Sequence, residues 1–433
     1  MILIYSEKIS ERLKYSAHIL ISVLMNDDFE LTSDVNEFEK ETFPKINYSS
    51  KEINGAVQII PSELLFEENI HTIEPEIIFN RNISCLFPQP KGDLNFDCFA
   101  AAFFLVSRYE EYLPFKPDRH NRFQSSDSFA VKHKFHQLPV VNYYSIFLEE
   151  KLKNKFEKFR GTPNKFKFTL SYDIDIAFKY LGRPSSHNVA GLFKNILMFD
   201  FKTAMQRLRV VGRKEADPWN TFHLQVKWNK MFNIDCVYFF LLANKSKFDR
   251  NLGWNSKAMA DLIKGLAANY KTGIHPGYKS SELPGNLKTE KERLEVISEK
   301  KVVRSRHHFL KVRFPETYIH LLNHDIKEDW SLGFSDQVGF RCGIANSFPW
   351  FNLMNNQTTD LKIFPFNAMD AALYFNMKSN AKSAGEMVLN ILEEVKKVNG
   401  HFIFLSHNQL INPANGWPGW QTEFVNILQT ASA

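Results

Sequence analysis

The stretch KFKFTLSYDID, residues 165–175, reads as a β-strand running into two carboxylates. Residues 165–172 are rich in aromatic and β-branched side chains, which suit a pleated, half-buried segment. Asp173 and Asp175 lie two apart, so on an extended chain both point to the same face. Carboxylates that close repel unless a cation or an arginine neutralises them, and a metal site often shows itself in sequence this way. The same pattern also fits a solvated turn whose carboxylates cap a helix.

Beyond this stretch the texture alternates. DPWNTFHLQVKWNKMF (217–232), with Asp217 as cap and Pro218 at the first helical position, predicts a helix leading into the strand VYFFLL (237–242). MADLIKGLAANY (259–270) predicts a helix ahead of the short strand KTGIHP (271–276). KVVRSRHHFLKV (301–312) and DWSLGF (329–334) predict strands. AKSAGEMVLNILEEVKKVN (381–399) predicts a long amphipathic helix before HFIFLSHN (401–408). Strands alternating with helices imply crossover units and a mainly parallel sheet or barrel. In such α/β folds, ligands gather at the carboxyl edge of the strands.

The ends of these runs carry polar groups. His275 is followed by Pro276-Gly277-Tyr278; the proline keeps the histidine extended and the glycine permits a sharp turn, so His275 is displayed. Alone, it is equally a hydrogen-bonded surface histidine. Arg304, Arg306, His307 and His308 interrupt an apolar run, which is costly unless they are paired or lie on one polar face of an edge strand. Gly339-Phe340-Arg341-Cys342-Gly343 sets an arginine between glycines, in a loop or an ordinary surface turn. His407 ends the last run. An aspartate with two histidines is a common open set for a divalent metal.

A length of 433 residues predicts two domains, divided near 150–166, where the chain is charged and ends in a Gly-Thr-Pro-Asn turn cluster. The expected units are residues 1–150 and 166–433. In the first, ILIYS predicts a strand, and ERLKYSAHILISVLM and FDCFAAAFFLVSRYEEYL (96–113) predict helices, whereas residues 114–135 read as a polar loop. Arg108, Glu110, Glu111, Asp118 and Arg122 read as helix-surface ion pairs, or else as a partner-docking face or an inter-domain seam. The net charge of +6 includes no Lys/Arg block long enough to track a nucleic acid backbone. Cys85, Cys98, Cys236 and Cys342 form no CxxC pair and read as reduced, buried thiols. Neither a leader-like N-terminus nor a spanning apolar stretch is apparent, so the expected location is cytoplasmic.

In order, TLSYDID, GIHPGY, RSRHHFL, GFR and LSH resemble the polysaccharide deacetylases of the NodB-homology class, most closely a branch seen in Bacteroidetes with an extra N-terminal domain. SRYEEYL (107–113) and the stretch from Asp118 to Ser128 are similar to that branch as well. The resemblance implies a distorted (β/α) barrel preceded by a smaller mixed α/β domain. It further implies a divalent metal, usually zinc, held by an aspartate and two histidines. By the same resemblance, Asp173 is the general base, Asp175 and His275 are metal ligands, Arg341 orients the base and His407 is the general acid. Two departures stand out. Ile174 separates aspartates that are adjacent in the best-known members, which leaves their division of roles open. The position four after His275 holds Lys279, and a protonated lysine cannot ligate a metal. His308 is the expected substitute, with His307 second.

The implied activity is metal-dependent removal of an N-acetyl (N-acyl) group from an amino sugar or glycan precursor. A catalytically impaired carbohydrate-binding relative is the alternative that Lys279 raises, and hydrolysis of a non-sugar amide is a third. Tyr278, Arg306, Trp417 and Trp420 are the expected substrate contacts, although Trp417 and Trp420 equally fit a packed C-terminal loop. The chain lacks a Gly-rich phosphate loop, HExxH and GxSxG, which argues against nucleotide, zincin and serine-hydrolase chemistry.

Overall fold

The structure is a computed structural model describing residues 1–412 and 416–433, and its architecture is mixed α/β. Strands β1 (Ile2–Tyr5), β2 (Phe29–Thr32), β3 (Lys45–Tyr48) and β4 (Val57–Ile59) form a parallel sheet in the order β2-β1-β3-β4. A hairpin of β5 (Ile77–Asn80) and β6 (Ile83–Leu86) follows. The large sheet has nine strands: β7 (Lys167–Ile174), β8 (Asp235–Phe240), β9 (Lys271–Ile274), β10 (Arg304–Ser305), β11 (Glu328–Asp329), β12 (Phe348–Asn352), β13 (Gln357–Ile363), β14 (Ala368–Met369) and β15 (His401–His407). Their order is β12-β13-β11-β10-β9-β8-β7-β15-β14, and only the β12/β13 pairing is antiparallel.

Register decides which side chains meet. Ile174, Phe240, Ile274 and Ser305 form one row across four parallel strands, and Asp173 lies opposite His407 on β15. Asp175, His275 and Arg306 therefore each stand one residue past a common row, at the carboxyl edge. One sheet face sends Leu170, Tyr172, Tyr238, Phe240 and Phe404 into the main core. The other carries Val237, Phe239, Ile403 and Leu405, which form a second, smaller cluster with Trp330 and Met369. Strands buried on both faces read as near-continuous apolar runs, and these do.

Several local expectations are corrected by tertiary partners. Residues 301–312 are strand only at Arg304–Ser305; Phe309 and Leu310 then take positive φ (61° and 54°) in a tight turn. In 329–334 only Asp329 is strand. The helix expected from 217 begins at Phe222; the Asp217 carboxylate accepts from the backbone N–H of Trp219, as a cap does, and also from those of Lys179, Tyr180 and Leu181. The helix expected over 96–113 runs from Cys98 to Val106, capped by Asp97 and ended where Arg108 turns left-handed at φ 57°.

The main core extends through both halves of the chain without a break. Tyr15 and Phe103 pack on Phe351 with ring centroids 4.9 and 5.2 Å away. The Arg341 loop is clamped to the N-terminal half at Gly339 (φ +133°), where an added Cβ would stand 2.4 Å from the His136 carbonyl oxygen. Arg108 and Glu111 are buried, which corrects the helix-surface reading of these residues. Glu111 Oε1 accepts from Arg108 Nε at 2.8 Å and from Arg341 Nε at 2.9 Å, and Oε2 accepts from Arg341 Nη2 at 2.6 Å. Burial disfavours charge on Glu111, but Arg341 and Arg108 outweigh it and hold its pKa below the usual carboxylate range. Glu111→Ala would leave the buried Arg341 guanidinium without its carboxylate, while Arg108 would keep Glu110 Oε1 at 2.7 Å. The expected loss is about 3–5 kcal/mol of stability, read as a lower urea midpoint. A midpoint unchanged from the parent would show that this seam contributes nothing.

A candidate metal centre at the carboxyl edge of the large sheet

Asp175, directly after β7, His275, directly after β9, and His308, in the turn after β10, form a group that could hold a metal ion, with donor atoms all within 4.8 Å of one another. Asp175 Oδ1 lies 3.1 Å from His275 Nε2, and Oδ2 lies 3.7 Å from His308 Nε2. The far nitrogen of each ring is already committed: His275 Nδ1 to the Arg306 carbonyl oxygen, and His308 Nδ1 to Asp249 Oδ1 at 2.9 Å. Such outer partners fix the tautomer that turns an Nε2 lone pair inward. Buried Asp175 Oδ1 accepts no well-directed hydrogen bond among the described residues. A carboxylate facing two imidazole lone pairs needs a positive charge between them, supplied by a proton or a cation. This donor set fits a divalent ion, with coordination left for water and substrate.

A proton on His308 can fill that role. Burial disfavours a charged His308, but Asp175 and Asp249 outweigh it and push its pKa up to about 9. Burial likewise opposes charge on Asp175, yet His308 and His275 hold its pKa well below the ordinary carboxylate range. His307 lines the same cavity but has no acidic neighbour among the described residues. Burial and His275 drive its pKa down to about 3, and both its ring nitrogens lack partners among the described residues. It is His308, then, that joins Asp175 and His275. Lys279 is exposed and lines a separate cavity of about 320 Å³.

Two further groups flank this triad. Asp173 Oδ1 accepts from Arg306 Nη1 at 3.0 Å, and Arg306 is itself anchored to the Trp330 carbonyl and to Ser171 Oγ. Arg306 is fully buried, holds Asp173 and does not line the cavity over these groups. This corrects two expectations together, because Arg341 is spent on Glu111 and does not reach Asp173. His407 Nε2 lies 3.9 Å from Asp175 Oδ2, and its Nδ1 is held by Asp370 Oδ1 at 2.7 Å. Burial disfavours the imidazolium, but Asp370 outweighs it, helped by Asp175 and Asp173, and the His407 pKa rises to about 9. Asp370 and Asp249 are roles that sequence reasoning misses, since neither sits at the end of a patterned run.

The cavity over these groups measures about 200 Å³. Its floor is Asp173, Asp175, His275, His308 and His407, and its rim includes Arg119, His120 and Arg122 from the N-terminal half and Phe375 from the turn after β14. Tyr278 does not line it. That ring stacks on Phe248 at 4.0 Å behind His120. Trp417 and Trp420 are buried, stacked on each other at 4.0 Å and packed against Tyr374 and Phe424, so neither presents a face to a sugar. Phe375, more than half exposed, stands at the rim.

Among known proteins, residues 2–157 match the model of a family of unknown function, DUF7033. No curated protein matches the chain. Among solved structures, the chain is similar to a "putative polysaccharide deacetylase from Mycobacterium smegmatis", with 11% identity and a TM-score of 0.41 over 63% of this chain and 87% of that one.

Proposed function

We propose that the chain is a metal-dependent hydrolase that removes an N-acetyl (N-acyl) group from an amino sugar or glycan. The same reading makes residues 166–433 a distorted (β/α) barrel and residues 1–150 an accessory unit. One observation carries it: an Asp-His-His donor set lies between an arginine-held aspartate and an aspartate-held histidine, all facing one cavity. A divalent ion bound there, with zinc the expected one, would lower the pKa of its water from about 15.7 towards 7 and polarise the acyl carbonyl. Asp173, fixed by Arg306, would take the proton of the attacking water. His407, charged and steadied by Asp370, would give a proton to the departing amine nitrogen, which is otherwise a poor leaving group. Water and amide are consumed, and carboxylate and free amine leave.

The test is metal content and acetate release by the full chain, with zinc and a panel of N-acetylated sugars. The expected result is about one ion per chain and release from at least one sugar. A chain that cannot be loaded with zinc would sink the reading, and one that loads and binds sugar without releasing acetate would be the carbohydrate-binding alternative. Phe375 would stack on a pyranose face. Phe375→Ala is expected to raise KM about tenfold with kcat nearly unchanged, since an aromatic contact is worth about 0.5–1.5 kcal/mol. An unchanged KM would remove Phe375 from the substrate path.

A further inference from the structure

Within ten residues of Asp175 the chain enters a helical hairpin, Ser185–Leu197 followed by Phe201–Val211. On the first helix Val189, Leu192, Phe193, Ile196 and Leu197 fall at i, i+3, i+4, i+7 and i+8, the stripe a globular helix turns to its core. Here no residue of that helix is buried. Phe193, Leu197, Met198, Phe199 and Phe201 are each 61–80% exposed. A contiguous apolar surface of this kind marks an interaction site.

The hairpin is a built structure. Arg207 bridges the two helices through Asn188 Oδ1 and Asn195 Oδ1 and lies 4.8 Å over the Tyr180 ring, while Tyr180 Oη donates to Gln206 Oε1 at 3.0 Å. Asp217 holds its root through three backbone N–H groups.

Charge identifies what covers it. Residues 185–214 hold Lys194, Lys202, Arg207, Arg209, Arg213 and Lys214 against Asp200 alone, a net of +5 beside +6 for the whole chain. A two-fold contact between copies would set these two cationic faces against each other. An anionic bilayer answers both features, since apolar side chains sink to the acyl boundary and lysines and arginines meet the headgroups. At the hairpin root a cavity of about 330 Å³ has Arg183, Arg207 and Arg213 on its walls together with Leu192, Leu208 and Val211, a lining suited to a lipid phosphate and its first acyl carbons. No helix among the described residues is long and apolar enough to cross a membrane, so the contact is interfacial.

We propose that the 185–214 hairpin docks the chain on an anionic lipid surface, with the tip around Leu197–Phe201 inserted. Co-sedimentation of the full chain with vesicles of phosphatidylcholine plus about 30% phosphatidylglycerol tests it. Binding is expected, weakened at least about tenfold on phosphatidylcholine alone and in about 1 M salt, where the Debye length falls to about 3 Å. The double variants Leu197→Ser/Phe199→Ser and Lys194→Glu/Lys202→Glu should each weaken it about tenfold or more. These side chains are solvent-exposed and lie outside the metal group, so both variants should fold and take up metal like the parent. Phe199→Trp should show blue-shifted emission on the mixed vesicles. Failure of the parent to sediment, or variants that bind as the parent does, would overturn the proposal. So would a dimer in solution that the Leu197/Phe199 variant dissociates without any vesicle binding.

Discussion

Asp175→Ala is expected to cost the chain its metal, with affinity falling by more than about a hundredfold, beyond the usual 10–100-fold loss from an outer-shell partner. Asp175 is the one carboxylate in a group whose other members are neutral imidazoles when they ligate, so its removal takes away the negative charge that holds the cation. Both imidazoles would keep their outer partners, the Arg306 carbonyl and Asp249. The loss would therefore reflect the missing ligand and not disordered rings. Competition against a chromophoric zinc chelator measures it. Parent-like affinity in the variant would break the ligand assignment, and with it the proposed chemistry.

His407→Ala separates binding from proton transfer. The variant should keep its metal, because His407 is not one of the three grouped donors, yet lose turnover by about 10²–10⁴-fold. Asp370→Asn should produce a smaller loss and move the acidic group's titration downwards, because Asp370 is the chief influence raising the His407 pKa to about 9. The sign follows from the charges: removing a neighbouring anion destabilises the imidazolium, so the alkaline limb of the pH–rate profile should shift to lower pH. Turnover equal to the parent's in His407→Ala would remove it from the acid role.

The strand ends were the legible part of this molecule. β7 and β15 announce themselves as apolar runs closed by Asp or His, β9 shows itself as the short strand before His275-Pro276, and parallel pairing then brings those ends to one edge. Local pattern sufficed because each signal lies within a few residues. Partner choice did not yield to the same reading. Arg306 interrupts an apolar run and Arg341 stands between glycines, and only the fold decides that the first meets Asp173 and the second Glu111. Asp217-Pro218 has the grammar of a turn start, and Asp217 does accept from the Trp219 N–H, but no local pattern shows that the same carboxylate also takes three backbone N–H groups some 37 residues upstream. Trp417 and Trp420 carry no mark in the sequence that separates a binding face from a packed one. Phe375 sits in a single π-helical turn, Ala372–Asn376, too short to show periodicity.

The buried knot of Arg108, Glu111 and Arg341 has a practical consequence for anyone cutting or recombining this gene. A fragment beginning at residue 166 would carry Arg341 without its counter-ion, expose the face of Phe351 that meets Tyr15 and Phe103, and lack Arg119, His120 and Arg122 from the wall of the cavity. Such a fragment should precipitate on expression, and transplanting the C-terminal half onto a foreign N-terminal half should fail unless Glu111 travels with it. By the same argument, a substitution that removes either charge of this knot should be tolerated only with a compensating change across it.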